Sequence, residues 1–244
     1  MEINNSVIFV TGGAARVGRG IGLGLAGAGA HIAFTYFSDQ EPWQETQREI
    51  ESLGVKSLAL PLDIRDSKQV HNVIQEAADH FGKIDVLVNN ASGPWVKKPF
   101  MEITQEEWDI TLDINLRGPF FCAQSVVPIM LSQGYGLIVN ISDMSAFQVW
   151  SGYTHHSCSK TGLISLTKSL AAELAPQIRV NAIAPGTILL PPDPTPEKIK
   201  WATEYSLLKR IGSPDDVAKL IKFLIDCDFV TGAVYFVDGG RSLV

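Results

Sequence analysis

Short apolar runs alternate with longer stretches of helical spacing along the whole chain. The runs fall at residues 7–10, 31–36, 57–60, 86–88, 137–141, 179–183 and 234–237, and they are rich in Val and Ile. Unbroken apolar runs of this length predict strands buried on both faces. Between them, apolar residues recur with helical period near 17–28, 41–53, 67–81, 104–132, 154–174 and 214–225. Such alternation predicts parallel βαβ units in one α/β domain over 1–244, a doubly wound parallel sheet of about seven strands flanked by helices.

Two helix starts are marked by their chemistry. Thr104-Gln105-Glu106-Glu107 has the spacing of a capping box, in which hydroxyl and carboxylate satisfy free N–H groups reciprocally. Ser213-Pro214-Asp215-Asp216 puts a cap before a proline at the first helical position, with acids in the first turn. Val217, Leu220, Ile221 and Leu224 then form an apolar stripe expected to face the core. The proline-rich stretch 190–196 is followed by no second core. It therefore reads as part of a long loop near 185–212, of the kind that covers a substrate site.

Composition narrows the function. With 45% hydrophobic and 19% charged residues the chain reads as soluble and globular. A net charge of −6, with no block of Lys and Arg, argues against nucleic acid as a partner. No apolar stretch reaches transmembrane length, the first residues lack the features of a signal peptide, and no membrane partner is expected. Three scattered cysteines, Cys122, Cys158 and Cys227, suit a reducing cytoplasm and suggest neither disulfides nor a metal site; all three read as buried thiols.

The first strand runs into Thr11-Gly12-Gly13-Ala14-Ala15-Arg16-Val17-Gly18 and then a helix. Strand, glycine turn and helix N-terminus make a diphosphate site, because the backbone can approach closely and free N–H groups face the anion. A formal G-x-G-x-x-G at Gly22, Gly24 and Gly27 begins too late, inside the helix, where small residues would instead let the helix pack closely on the sheet. The second strand ends in Tyr36-Phe37-Ser38, without the carboxylate that binds an NAD ribose. That end favours NADP(H), with Arg16 as candidate counter-charge and Asp39 as the opposing feature.

These pieces stand in a recurring order. After the glycine turn come Asp63-Ile64, Asn89-Asn90-Ala91-Ser92, Asn115, the strand end Asn140-Ile141-Ser142, Lys160 and Pro185-Gly186. In that order the chain resembles the short-chain dehydrogenase/reductase family over nearly its whole length. It is most similar to the pteridine reductases, through Arg16 in place of a second glycine, Asn90-Ala91-Ser92, and Asp143 in place of a serine. The resemblance implies a Rossmann-type homotetramer transferring hydride from NADPH to a small-molecule substrate with a pterin-like ring. It places Asp63 and Ile64 at the adenine, Asn90 and Ala91 at the adenosine end, Lys160 on the nicotinamide ribose, and Pro185 and Gly186 beside the nicotinamide. It also gives Asn115 a proton-relay water and puts Arg16 and Ser92 near phosphate and substrate. Trp95 would stack on a flat ring, or simply pack in its loop.

One position departs from the family. Its tyrosine belongs at residue 156, one helical turn before Lys160, and this chain has His156. Three readings stand open. His156 is the general acid, with Lys160 and Asp143 pulling its proton affinity in opposite directions. Alternatively Tyr153, two turns before Lys160 if the helix begins that early, supplies a phenol. Or the protein binds NADP and a ligand without reducing it, as a sensor or assembly subunit. The same scaffold also serves 3-oxoacyl thioester reduction, so the fold leaves the substrate open.

Overall fold

The protein is described by a computed structural model covering residues 1–93 and 95–244. Seven strands form one parallel sheet in the order β3-β2-β1-β4-β5-β6-β7. They are β1 (Val7–Val10), β2 (His31–Tyr36), β3 (Ser57–Pro61), β4 (Val86–Asn89), β5 (Gly136–Ile141), β6 (Ile178–Pro185) and β7 (Val234–Val237). The helices are α1 (Arg16–Ala26), α2 (Trp43–Ser52), α3 (Ser67–Phe81), α4 (Gln105–Leu112), α5 (Gly118–Gln133), α6 (Thr154–Leu174), α7 (Pro196–Glu204) and α8 (Pro214–Asp226).

The sheet divides the core in two. On one face Ile21 and Leu25 of α1, Ile50 of α2 and Val217, Ile221 and Leu224 of α8 pack on β1 and β2. On the other, Val70 and Ile74 of α3, Cys122 and Val126 of α5 and Ala171 of α6 cover Phe9, Leu87 and Ile138. Helices on both faces explain why β1, β4 and β5 are buried at every position rather than alternately, whereas the edge strands depart from that expectation: β3 is only partly buried and β7 has no buried residue. Strand order reverses between β1 and β4, which opens a crevice at their carboxyl ends, the usual ligand position in this architecture. Both capping boxes form, Thr104 with Glu107 and Ser213 with Asp216.

Three expectations need correction. The helical stretch 104–132 is not continuous: Asp113–Arg117 forms a π-helical turn between α4 and α5. Pro119 is the cause. It has no N–H for the Asn115 carbonyl four residues earlier, and its ring would crowd that oxygen, so the ladder slips and Gly118 N–H donates to the Asp113 carbonyl. The loop after β6 contains α7, which starts with Thr195 as cap and Pro196 at its first position. Thr-Pro-Glu was a legible start signal there. Finally, only Cys122 is fully buried, and burial pushes its thiol up to about 12; Cys158 is exposed and Cys227 half-buried.

Candidate active site

The crevice is tied together by the polar residues of the glycine turn and the end of β4. The Thr11 hydroxyl accepts from the N–H groups of Asn90 and Ala91, each at 3.0 Å. Asn90 Nδ2 in turn donates to the carbonyls of Thr11 and Gly12, both at 3.0 Å. Gly12 adopts φ +63°, and a Cβ on Gly18 would overlap the Gly12 carbonyl oxygen and lie 2.5 Å from Asn90 Nδ2. The first turn of α1 therefore presses directly on the glycine turn. No side chain caps α1 and no acid lies in its first turn, so its leading N–H groups stay open at the positive end of the helix. This cradle fits the diphosphate of a dinucleotide.

Arg16 holds φ +53°, a left-handed conformation that costs a non-glycine residue about 1 kcal/mol. Its Nη2 points to the Leu190 carbonyl at 3.4 Å, so it links the turn to the loop after β6 rather than to the end of β2, where a 2′-phosphate counter-charge was expected. Val17 follows it and packs partly into the core. The later glycines lie in or at the end of α1, as expected of a decoy motif. Gly22 faces Ile32 of the sheet and Ile50 of α2, whereas the tightest approach is at Gly24 to α8, where an added Cβ would stand 2.7 Å from that of Ala218.

At the adenosine end, Tyr36 is buried and stacks on Trp43 with centroids 4.8 Å apart. The Ser38 hydroxyl accepts from Gln40 N–H at 3.2 Å. Glu41, which the sequence reading passed over, brings its carboxylate back to the strand end, where Oε1 accepts from the N–H groups of Phe37 at 2.8 Å and Ser38 at 3.0 Å. Asp63 is held by Arg65, whose Nε donates to it at 2.9 and 3.1 Å and whose Nη2 does so at 2.6 Å. That pairing lowers the Asp63 carboxyl below its ordinary range. The adenine contact expected of Asp63 must compete with this pair. Ile64 is buried beneath it, against Gly118.

The chemistry-bearing residues meet around His156, which is 2% exposed. Gly93 N–H donates to Asn115 Oδ1 at 2.9 Å, and the Ser92 hydroxyl does so at 3.2 Å. Those donors fix the orientation of the amide. Asn115 Nδ2 is thereby aimed at Ser159 Oγ, at 3.0 Å, and at His156 Nδ1, at 3.4 Å. With an N–H facing Nδ1, the ring proton belongs on Nε2, which donates to Asp143 Oδ2 at 2.5 Å. A backbone N–H at the β4 end therefore sets the tautomer of a histidine on α6. The π-helical turn brings Asn115 to this point.

Asp143 lies two residues beyond β5 in extended conformation, and its other oxygen accepts from Ser145 N–H at 2.7 Å and from the Ser145 hydroxyl. Burial alone would raise this carboxyl. The hydrogen bond from His156, the charge of Lys160 and the Ser145 hydroxyl outweigh burial and hold it below the ordinary carboxylate range. Lys160 is 3% exposed and donates from Nζ to the Ile141 carbonyl at 3.0 Å. Burial lowers its pKa, and the Asp143 carboxylate opposes that shift.

An aromatic wall flanks this centre. The Trp95 ring lies 5.3 Å from Tyr153, 6.0 Å from Trp150 and 6.1 Å from His156, and it is 59% exposed. Tyr153 precedes α6 rather than belonging to it, with backbone φ −124° and ψ 28°. It therefore does not share a helical face with Lys160, as a phenol donor two turns away would require, and its ring packs instead against Trp95 and Trp150. Pro185 ends β6, and Gly186 donates to the Val237 carbonyl at 3.0 Å, with no room for a Cβ beside Asp238. Trp150, Thr187, Ser159 and Arg241 complete the surroundings. Only the fold could bring these four together.

Comparison with known proteins agrees with this fold. Residues 13–242 match a family model described as "Enoyl-(Acyl carrier protein) reductase". The chain is 37% identical to the (2S)-[(R)-hydroxy(phenyl)methyl]succinyl-CoA dehydrogenase subunit BbsD of Thauera aromatica, covering 100% of this chain and 99% of that one. It is 36% identical to the 3-oxoacyl-[acyl-carrier-protein] reductase FabG of Staphylococcus aureus, covering 100% of each. A 7α-hydroxysteroid dehydrogenase complexed with NADH and 7-oxo glycochenodeoxycholic acid superposes with a TM-score of 0.92 at 30% identity, covering 98% of this chain and 95% of that one.

Proposed function

This chain belongs to the short-chain dehydrogenase/reductase family, and from that premise we propose that it reduces the carbonyl of a 3-oxoacyl thioester-type substrate with His156 as proton donor. One observation carries the reading: a carboxylate-bound imidazole, oriented by Asn115, stands at the tyrosine position beside a dinucleotide crevice. The bound nicotinamide supplies the hydride. A carbonyl oxygen that replaces Asp143 Oδ2 as acceptor from His156 Nε2 receives the proton. Donation from a neutral ring would leave an imidazolate, so the donor is the imidazolium, balanced by the adjacent Asp143 charge. The second proton goes to Nδ1, and Asn115 Nδ2, which faces that nitrogen at 3.4 Å, then has to turn from it and donate to Ser159 Oγ alone. Lys160, held by the Ile141 carbonyl, is the ribose-binding residue, and Pro185 and Gly186 border the nicotinamide.

The two curated relatives act, by their names, on acyl thioesters, which supports that class over a pterin ring. The exposed face of Trp95 is the one feature that favours a flat heterocycle. Two observations now support NAD(H) over the NADP(H) suggested by the uncharged β2 end. Arg16 is turned to the substrate loop, and the Glu41 carboxylate occupies N–H groups that a 2′-phosphate would need. Glu41→Gln is expected to shift the NADP(H)-to-NAD(H) affinity ratio toward NADP(H) by about tenfold. Coenzyme fluorescence titration reads this directly. The exposed rings of Phe120 on α5 and Phe223 and Phe236 near β7 support the homotetramer, which analytical ultracentrifugation tests.

The function itself is tested with acetoacetyl-CoA as substrate. Its reduction with bound dihydronicotinamide coenzyme is expected, and coenzyme binding without that reduction would overturn the reading. A second reading, coenzyme binding without catalysis, is favoured by the engagement of both His156 ring nitrogens within the protein. Coenzyme binding with no turnover on a panel of carbonyls would establish it.

A further inference from the structure

Arg241 is the unexplained charge of the site. It follows Gly239 and Gly240 beyond β7 and begins the 3₁₀ turn Arg241–Leu243. Its guanidinium is half-buried, lying 4.3 Å from the ring centroid of Trp201 on α7 and 5.8 Å from that of Trp150. Nη1 donates to the Thr187 hydroxyl, next to Gly186. Among the described residues it forms no ion pair, whereas Arg19, Arg65, Arg117 and Arg210 each have a carboxylate. The nearest acid in sequence, Asp238, is already engaged: Oδ1 accepts from Gly240 N–H at 3.0 Å and Oδ2 from Ser242 N–H at 2.7 Å.

A guanidinium does not lose its proton, so burying one without a counter-ion is costly. Burial does strain this charge, lowering its pKa against the opposing pull of Asp238 and Tyr205. Its stacking on two indoles offsets part of the cost and leaves the remaining N–H donors for an anion. Between Arg241 and His156 stand Trp150 and Trp95, in successive ring contact. The geometry therefore supplies three elements side by side: a proton donor, an aromatic wall with an exposed face, and an unpaired cation.

We propose that Arg241 is the anion-recognition residue of the substrate site and that the substrate is an oxo compound carrying both an aromatic ring and a carboxylate. The carbonyl lies at His156, the ring along Trp95 and Trp150, and the carboxylate at Arg241. This deepens the reductase reading and rests on it. It also makes α7 part of recognition, because Trp201 forms one side of the guanidinium's cage.

The test uses the whole protein loaded with whichever of NAD⁺ or NADP⁺ it binds more tightly. Calorimetry compares 4-acetylbenzoate, in which the ring separates ketone and carboxylate, its methyl ester, and 4-oxopentanoate, which keeps the ketone and the acid and lacks the ring. The acid is expected to bind more tightly than the ester by roughly 10- to 100-fold, the worth of hydrogen bonds to a charged group. Arg241→Gln should collapse that acid-to-ester ratio toward one, while Arg241→Lys should retain part of it. 4-Oxopentanoate should bind several-fold more weakly than 4-acetylbenzoate, through loss of the ring contacts.

Equal affinity for acid and ester in the unaltered protein, or no binding of either, would overturn the proposal. So would an Arg241→Gln variant that weakens both alike, which would mark a purely structural stack. Weakened coenzyme affinity in that variant would assign the anion to the coenzyme's phosphates and overturn it too. Affinities are read without turnover, so failure of the reductase reading shows separately, as absent reduction of every carbonyl.

Discussion

Replacing His156 by Ala is expected to lower the turnover number for carbonyl reduction by roughly 10²- to 10⁴-fold, the usual contribution of a positioned general acid. Coenzyme affinity should persist, because His156 lies at Asp143 and Asn115 and not at the glycine turn. The loss should fall on kcat more than on KM, since the proton is transferred only on the way to the alcohol. Steady-state kinetics with acetoacetyl-CoA, set beside coenzyme titration, reads both quantities. Unaltered turnover would remove His156 from the mechanism. Tyr153→Phe supplies the contrast: its ring packs on Trp95 and Trp150 outside α6, so a modest effect on KM is expected and kcat should survive.

Gly18→Ala is expected to abolish measurable coenzyme binding. The added methyl meets the Gly12 carbonyl oxygen and Asn90 Nδ2, which are backbone and a firmly bonded amide rather than the end of a flexible chain. Relief requires α1 to move away from the turn, and that withdraws the N–H groups that would hold the diphosphate. Overpacking of this kind costs about 1–3 kcal/mol, which for a chain of this size lowers Tm by roughly 2 to 10 °C. A thermal melt with and without coenzyme separates the two effects. The variant should melt somewhat earlier and show no shift when coenzyme is added.

The legible parts of this protein were those written in local pattern. The inner strands β1, β4 and β5 are buried along their length and could be read from runs of Val, Ile and Leu; the edge strand β7 was read from the same kind of run although none of its residues is buried. The glycine turn, both capping boxes and the register of Lys160 with residue 156 also depend on near neighbours in sequence. Other features depend on distant ones. Glu41 reaches the β2 end only because its side chain folds back over Ser38, and nothing in the local sequence marks Trp150. The break at Asp113–Arg117 was legible in principle, since Pro119 announces it, but helical periodicity on both sides concealed the slip. The His156 tautomer could not be read at all. It follows from Gly93, Asn115 and Asp143, which three separate loops and turns bring together.

The wide turn at Asp113–Arg117 couples the interior of the molecule to its outside. One residue advances an α-helix by about 100°. Deleting a single residue there would therefore do more than withdraw Asn115 from His156. It would rotate all of α5, turning the exposed ring of Phe120 away from its present direction and presenting another side of the helix to solvent. The turn works as a gear: the phase that sets an amide beside the imidazole is the same phase that sets which side of α5 faces solvent, and neither can drift by one residue without the other.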